Sequence, residues 1–215
     1  RALVSGGLNV LEITLRTSVA LAAIERIARE LPEAVVGVGT VTKVDELRRA
    51  REAGARFAVS PGLDPELCQA AQADGIPYMP AVQTGSEIMA ARRLGFTALK
   101  FFPAKAAGGQ QALQSFAPVF PDVVFCPTGG ITAADYLDYL KLRNVIAVGG
   151  TFMTSADLVK RRDWRAIETL ARARRLTAEE ERELIELRRS CFASEDFREG
   201  IRAFAEKRAP RWRGR

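Results

Sequence analysis

The chain has 215 residues, 47% of them hydrophobic, so it can bury one sizeable core, and its composition argues against global disorder. It carries 32 Lys and Arg against 26 Asp and Glu, and the resulting charge of +6 suits nucleic acid or an anionic small substrate. Because no compact basic stripe with interleaved aromatic residues is present, we predict no nucleic-acid partner.

Histidine is absent, and the three cysteines (Cys68, Cys126 and Cys191) stand far apart. The first fact excludes histidine-based acid–base chemistry and most zinc sites, and the second gives neither a disulfide framework nor a CxxC site. No apolar run reaches membrane-spanning length and no signal peptide is visible. We therefore expect a soluble cytoplasmic protein with no membrane partner.

Short apolar runs alternate with amphipathic helical patterns along most of the chain. The runs predict seven strands, at residues 10–15, 35–41, 57–60, 78–82, 98–102, 123–126 and 146–148. Candidate N-terminal caps of the helices between and after them are Asp64, Thr84 or Ser86, Thr132 and Asp163. Strands that are apolar throughout and alternate with helices indicate parallel βα units. The leading fold is a (β/α)₈ TIM barrel, and an open doubly wound sheet is the alternative.

Seven strands are one short of a closed (β/α)₈ barrel. Residues 1–7 have the pattern of the tail of a helix, so we expect the first βα unit to be missing and residues 1–176 to form a barrel with seven of its eight strands. Residues 177–215 are expected to form a helical tail, since Thr177 and Glu180 make a capping box and Ser194 begins a second apolar stripe. A tail this short packs on the barrel, packs on a neighbouring subunit, or stays loose.

Lys100 stands in the middle of an apolar stretch, LKFFPA at residues 99–104. A charged ammonium loses hydration in such a setting, so the neutral amine is favoured. A neutral amine can attack a ketone carbonyl to give a Schiff base. The alternative is a lysine at the end of a strand that extends its amine into water.

Strand alternation places Glu12 and Arg16 on the inward face of the first strand, because the residues between them suit packing against helices. The same alternation places Lys100 and Phe102 inside. An acid and a guanidinium inside a barrel are costly unless they are used or paired, and Arg16 lies at the carboxyl end of its strand, where barrel active sites lie. A purely structural Glu12–Arg16 ion pair is the alternative.

Glycines and hydroxyls collect after the predicted strands. Gly129-Gly130 and Gly149-Gly150 follow the last two strands, where such barrels frequently hold phosphate on backbone N–H groups. The alternative is that each pair is only a tight turn into a helix. Thr40 and Thr128 add hydroxyls at the same mouth, unless they serve only as turn or cap residues.

Six segments carry a family resemblance: VLEITLRT (10–17), VGVGT (36–40), SPG (60–62), LKFFPA (99–104), CPTGGI (126–131) and VGG (148–150). Together they resemble the 2-keto-3-deoxy-6-phosphogluconate (KDPG) aldolases, which also act on 4-hydroxy-2-oxoglutarate (KHG). The resemblance runs from residue 1 to about residue 176. It implies a class I aldolase on a (β/α)₈ barrel, usually a homotrimer, that needs no metal and no cofactor. Such an enzyme cleaves KDPG to pyruvate and glyceraldehyde 3-phosphate, and KHG to pyruvate and glyoxylate.

The resemblance also implies a role for each matching residue. Lys100 forms the Schiff base with pyruvate, and Glu12 moves protons during carbinolamine formation and at the pyruvate methyl carbon. Arg16 and Thr40 hold the pyruvate carboxylate. The remaining substrate-binding residues are Pro61, Phe102 and Thr128, with the phosphate on Gly129, Gly130, Gly150 and Thr151.

Some positions depart from the family pattern. Thr151 replaces a common serine, Ala81 replaces a common glycine, and Lys105 stands where an acidic residue is usual, which alters the charge at the mouth. The tail departs altogether, because residues 194–215 resemble the C-terminal end of enoyl-CoA hydratase/isomerase (crotonase) proteins. The catalytic groups of those proteins lie upstream of that end, so the tail implies a role in assembly and no hydratase activity.

Two other functions stay open on the sequence alone. The first is an inactive, truncated aldolase remnant, whose open barrel does not position the catalytic groups. The second is a different phosphosugar-binding barrel, such as an epimerase or an isomerase. Lys100 within LKFFPA and the lack of histidine argue against the second.

Overall fold

Parallel strands alternate with helices along residues 1–173, the part of the chain that the computed structural model describes. The predicted tail at 177–215 lies outside that range. The strands are β1 (Val10–Thr14), β2 (Val35–Gly39), β3 (Ala58–Val59), β4 (Tyr78–Met79), β5 (Ala81–Val82), β6 (Ala98–Phe101) and β7 (Val124–Pro127). The helices are α1 (Ala2–Ser5), α2 (Ala20–Glu30), α3 (Val44–Glu52), α4 (Pro65–Ala73), α5 (Gly85–Arg93), α6 (Gly109–Val119), α7 (Tyr136–Leu140), α8 (Ala156–Lys160) and α9 (Trp164–Ala173). Every strand pair in this range is parallel, which confirms the predicted α/β class.

Pro80 divides the predicted strand at 78–82 into β4 and β5. The first piece pairs with β3 and the second with β6, so the sheets have the orders β1-β2-β3-β4 and β5-β6-β7. Proline has no N–H to donate to a neighbouring strand, so the hydrogen-bond ladder breaks at this residue. Its carbonyl still accepts a hydrogen bond of 2.9 Å from the N–H of Lys100. The two sheets thus continue into each other past Pro80 and together form one strand wall, although the hydrogen-bond ladder is interrupted there.

The predicted strand at 146–148 is wrong as a continuous strand. Its flanks form only two isolated bridges, Val145 to Phe125 and Gly149 to Thr128. Between the two bridges, three residues of this segment (146–148) lie opposite two of β7 (126–127), so an extra residue interrupts the ladder as in a β-bulge. Within residues 1–173, this segment pairs only with β7 and β1 pairs only with β2, and the missing first βα unit stays a prediction.

Two apolar clusters flank the strands. One packs helices α2, α3 and α4 against β1–β4, and the other packs α5 and α6 against β5–β7. Leu63 and Phe96 contact both clusters. The Phe96 ring meets the edge of Tyr78 at a centroid distance of 5.8 Å. These two side chains therefore join the parts of the core on either side of Pro80.

Several helix ends follow the sequence signals. Asp64 Oδ1 accepts a hydrogen bond from the Glu66 N–H at 2.8 Å, and Asp163 Oδ1 accepts one from the Ala166 N–H at 3.0 Å, so both caps are confirmed. The cap predicted at Thr132 is confirmed: its Oγ1 accepts a hydrogen bond from the Ala134 N–H at 3.3 Å, and Asp135 Oδ1 accepts one from the Thr132 N–H at 2.6 Å, in the turn that leads into α7. No helix within residues 1–173 has the length and apolar character needed to cross a membrane.

The helical tail predicted for residues 1–7 is confirmed as α1. It packs against α9, where Gly6 has no side chain and so leaves room for Ala171. Trp164, at the start of α9, is 52% exposed rather than turned inward. The inward face of α9 consists instead of Ile167 and Ala171.

Candidate active site

An amine and a carboxylate meet inside the strand wall. Nζ of Lys100 on β6 lies 3.4 Å from Oε1 of Glu12 on β1. Lys100 is only 6% exposed, so its amine does not extend into bulk water as the alternative reading required. The Glu12 side chain keeps 29% exposure, so the carboxylate lies between the amine and the solvent. An acid that is open to solvent and touches an amine can carry protons to and from it.

The Lys100 amine also has a ring and a thiol as neighbours. Its Nζ lies 5.2 Å from the centroid of the Phe102 ring, within the range of a cation–π contact. Cys126 on β7 is the strand partner of Lys100. Burial raises the pKa of the Cys126 thiol, and a hydrogen bond with Thr128 and the charge of Lys100 offset this only in part. The thiol therefore stays neutral. It lies beside the Lys100 amine because the two residues are partners in the β6–β7 ladder.

Gly39 makes the space that the Glu12 carboxylate occupies. A Cβ on Gly39 would overlap Oε1 of Glu12. On the same face of β2, a Cβ on Gly37 would overlap the ring of Phe57. Val36 and Val38, which alternate with these glycines, are fully buried in the core. The alternation in VGVG was the signal that could have shown glycines facing the site, and sequence reasoning missed it.

Arg16 and Thr40 follow two neighbouring strands. The Leu15 N–H donates to the Gly39 carbonyl at 2.9 Å, which holds the carboxyl ends of β1 and β2 together. Nε of Arg16 donates to Oγ1 of Thr14 at 3.1 Å, and within residues 1–173 no carboxylate pairs with Arg16. The alternative Glu12–Arg16 ion pair is therefore not formed.

Thr40 adopts a left-handed backbone conformation, with φ of 62°. This conformation is unfavourable for a β-branched residue and is found mainly where the surrounding structure enforces it, often at functional sites. Thr40 directly follows β2 and Gly39. The strained backbone of Thr40 therefore lies at the carboxyl end of β2, directly after the Gly39 that faces Glu12.

Pro61 lies in a turn that buried hydroxyls hold in place. Oγ of Ser60 donates to the Gly62 carbonyl at 2.6 Å, and the Tyr78 hydroxyl donates to Oγ of Ser60 at 2.7 Å. Both hydroxyl residues are buried, and burial raises the pKa of Tyr78. The turn is thus fixed from beneath by Ser60 and Tyr78, whose roles sequence reasoning missed.

The Gly129-Gly130 pair is a left-handed turn, with φ of 100° and 79°. Its backbone is tied to the segment after β6, because Ala104 N–H donates to the Thr128 carbonyl at 2.8 Å and Lys105 N–H donates to the Gly129 carbonyl at 3.1 Å. Successive glycines in such conformations can present backbone N–H groups to an anion. Because both residues have positive φ, the turn itself favours glycine at each position, and the binding of phosphate there stays a prediction.

The bridge between Thr128 and Gly149 places Gly150 and Thr151 near the Gly129-Gly130 turn. Thr128 bridges to Gly149, and the Thr128 side chain fills the place of a Gly149 side chain. Gly150 and Thr151 follow directly and are exposed. The Thr128 bridge therefore brings this segment beside the Gly129-Gly130 turn.

Metal-ligating side chains do not collect in residues 1–173. No group of three or more His, Cys, Asp or Glu side chains is placed there to hold an ion. The absence of a metal and of a cofactor stays a prediction, because the chemistry of Lys100 and Glu12 is what motivates it.

Known proteins resemble this chain over most of its length. A family model, KDPG and KHG aldolase, matches residues 1–170. The KHG/KDPG aldolase of Escherichia coli is 49% identical over 172 residues, which cover 80% of this chain and 81% of that protein. The 2-dehydro-3-deoxy-phosphogluconate aldolase of Pseudomonas aeruginosa is 46% identical over 171 residues, which cover 80% of this chain and 78% of that protein.

Solved structures agree with the sequence matches. The KDPG aldolase of Legionella pneumophila, captured with pyruvate as a covalent carbinolamine intermediate, is 44% identical with a TM-score of 0.78, and the match covers 80% of this chain and 84% of that one. The KDPG aldolase of Zymomonas mobilis with 3-phosphoglycerate is 46% identical with a TM-score of 0.76, and the match covers 80% of each. These relatives confirm the (β/α)₈ fold class. The chain belongs to the KDPG and KHG aldolase family, whose members are class I aldehyde-lyases.

Proposed function

We propose that this protein is a class I aldolase that cleaves KDPG to pyruvate and glyceraldehyde 3-phosphate through a Schiff base on Lys100, with no metal or cofactor. The observation behind the proposal is the buried Lys100 amine 3.4 Å from the Glu12 carboxylate. The match to aldolases along residues 1–170 supports the same reaction.

The reaction begins at the ketone of the sugar acid. The neutral Lys100 nitrogen attacks the carbonyl carbon, and the oxygen takes up a proton to give a carbinolamine. Glu12 supplies the proton that turns the hydroxyl into departing water, which leaves a protonated imine. Because Glu12 contacts both Nζ and the solvent-facing side of the site, it can pass protons in either direction.

Bond cleavage uses the imine as an electron sink. Glu12, a carboxylate after the dehydration step, accepts the proton of the substrate hydroxyl, and the adjacent C–C bond breaks as its electron pair moves toward the positively charged imine. Glyceraldehyde 3-phosphate leaves, and an enamine of pyruvate remains on Lys100. Protonation of the enamine carbon by Glu12 and attack of water on the imine then release pyruvate and the free amine.

The other predicted site residues bind the substrate in this proposal. Arg16 has no carboxylate partner within residues 1–173, so its guanidinium is available to the substrate carboxylate, with Thr40 beside it. Phe102 lies over the amine, and Pro61 and Thr128 would line the mouth of the site. The phosphate would rest on the backbone N–H groups of Gly129, Gly130, Gly150 and Thr151. KHG would use the same amine and acid without the phosphate contacts.

The oligomeric state and the cellular location are proposals that rest on membership of this family. We infer a homotrimer in the cytoplasm, with no nucleic-acid or membrane partner. The crotonase-like tail at 177–215 would then serve assembly, and it lies outside the described residues. An eighth strand between β1 and the segment at 145–149 would complete the barrel.

The epimerase or isomerase alternative is wrong, since the chain belongs to an aldolase family.

Trapping with pyruvate and sodium borohydride tests the proposal on the full chain. Peptide mapping should find one reduced pyruvate on Lys100, and the Lys100→Met variant should carry none. The Lys141→Met variant is the matched control, because its side chain is 75% exposed at the end of α7. A folded protein that gives no adduct, or gives it equally on surface lysines, would refute the aldolase.

A further inference from the structure

Lys105 lies against the Gly129-Gly130 turn in two ways. Its backbone N–H donates to the Gly129 carbonyl at 3.1 Å. Its side-chain stem crosses the face of Gly130, where an added Cβ would lie 2.7 Å from Cβ and 3.2 Å from Cδ of Lys105. The side chain of Lys105 therefore occupies the space beside Gly130, which keeps its ammonium near the Gly129-Gly130 turn.

The charge of Lys105 is not neutralised by an ion pair. Within residues 1–173 no carboxylate oxygen lies within ion-pair distance of its Nζ. Lys105 acts electrostatically on Asp135, whose pKa is lowered mainly by the Thr132 N–H and to a lesser degree by Lys105. The Asp135 carboxylate already accepts hydrogen bonds from the Thr132 N–H at 2.6 Å and the Thr132 hydroxyl at 2.9 Å. Most of the positive charge thus stays available to an added anion.

We propose that Lys105 is a specificity-determining residue that selects substrates ending in a phosphate dianion over substrates that end in a shorter, singly charged group. This inference rests on the proposed function and refines it. A dianion on the Gly129-Gly130 turn would lie beside the exposed ammonium, so their attraction adds to the backbone hydrogen bonds. The carboxylate end of KHG does not extend that far from the Schiff base, so it gains little from Lys105.

The test compares two substrates on three variants of the full chain. Lys105→Met keeps the stem that covers Gly130 and removes the charge, and Lys105→Glu reverses the charge. Lys141→Gln is the control with the same change in net charge as Lys105→Met, at the carboxyl end of α7. For each variant we would measure kcat and KM for cleavage of KDPG and of KHG, at low and at high NaCl.

The Lys105→Met variant should raise the KM for KDPG about three- to tenfold, since an exposed charge pair contributes up to a factor of about five and the dianion carries two charges. Its KM for KHG and its kcat should stay within about twofold of the parent. Salt should weaken KDPG binding more in the parent than in the variant. Lys105→Glu should raise the KM for KDPG further, and Lys141→Gln should change neither substrate.

Equal losses on KDPG and KHG, or no change on either, would overturn the specificity role of Lys105. Borohydride trapping of pyruvate on the same variants separates this outcome from failure of the proposed function. If trapping on Lys100 persists while the KDPG preference is unchanged, the role of Lys105 is wrong and the aldolase stands. If trapping fails in the parent chain, the aldolase itself is wrong.

Discussion

Lys100 and Glu12 are separated by 88 positions in the chain, and their side chains meet at 3.4 Å. They come from different hydrogen-bonded sheets, Glu12 from β1 and Lys100 from β6. The contact therefore depends on the packing of the whole strand wall rather than on any local turn. A change that leaves both residues in place but alters the space between the strands is expected to alter the chemistry.

Replacing Glu12 by Gln should lower kcat for KDPG cleavage by about 10²- to 10⁴-fold, the usual contribution of a general acid–base group. The amide keeps the shape of the side chain and cannot carry the proton. Because Lys100 is intact, borohydride should still trap pyruvate on it, at a reduced rate. Steady-state cleavage together with trapping measures both effects.

The matched control for Glu12→Gln is Glu25→Gln, an exposed position on α2. It removes the same charge from the surface and should leave kcat within about twofold. Retention of full activity by the Glu12→Gln variant would show that another group transfers the proton.

Replacing Gly39 by Ala should reduce activity more than stability. The added Cβ would overlap the Glu12 carboxylate, and that flexible end can move aside without disturbing the backbone. We expect kcat to fall about 10- to 100-fold, because a displacement of about 1 Å at a catalytic group has effects of that size. The unfolding free energy, measured in urea, should change by less than about 1 kcal/mol.

Gly85→Ala is the comparison for Gly39→Ala, since its Cβ would make only ordinary contact with the Phe120 ring at 3.7 Å. It should keep full activity. If both alanine variants lose activity equally, the space beside Glu12 is not the cause.

Replacing Thr40 by Asn should stabilise the fold and weaken the enzyme. Asn tolerates the left-handed backbone that Thr40 holds at φ of 62°, so we expect a gain of about 1 kcal/mol in the free energy of unfolding. The hydroxyl that would hold the pyruvate carboxylate is lost, so the KM for pyruvate in the reverse condensation should rise. Urea denaturation and condensation kinetics give the two values.

Arg162→Asn separates the two effects of Thr40→Asn. Arg162 is exposed and has φ of 56°, so its replacement by Asn should also stabilise the protein. It should leave the kinetics unchanged, because Arg162 lies between α8 and α9. A Thr40→Asn variant with unchanged KM would remove Thr40 from the binding site.

The Glu87 carboxylate at the start of α5 should make stability depend on pH. Burial alone raises its pKa, but hydrogen bonds from the Gln83 N–H, the Thr84 N–H and the Thr84 hydroxyl outweigh it, so the net pKa falls below 4.5. A lowered folded pKa means that the stabilisation is present above about pH 4.5 and is lost as the pH falls through the lower folded value.

Glu87→Gln should therefore cost about 1 kcal/mol at pH 7, and less as the pH drops below the ordinary glutamate range. Urea unfolding of both proteins from pH 7 downward measures the difference between them. A difference that stays constant with pH would show that shape, not charge, accounts for the contribution of Glu87.

Strand alternation was enough to predict that Glu12 and Lys100 face the same interior, because successive side chains of a strand point to opposite sides. The cap at Asp64 was equally visible, since its carboxylate acts within a few residues. Both features depend on local geometry. The match of LKFFPA and CPTGGI to the aldolases then gave the family.

Other features depend on how distant segments align, and a local pattern does not contain that information. The bulge between Val145 and Gly149 arises from the register against β7. The close approach of the Glu12 carboxylate to Gly39 likewise follows from the pairing of two strands. The cap at Thr132, by contrast, was visible in the sequence, because its partners Ala134 and Asp135 lie two and three residues away.

Pro80 separates β4, which pairs with β3, from β5, which pairs with β6, and so interrupts the hydrogen-bond ladder. The acid and the amine lie on opposite sides of that interruption. Their alignment across it is maintained by the hydrogen bond from the Lys100 N–H to the Pro80 carbonyl and by side chains such as Phe96, which touches both apolar clusters. Any cooperativity between the unfolding of one half and the loss of the catalytic contact passes through these aromatic and aliphatic contacts and through the Lys100–Pro80 hydrogen bond.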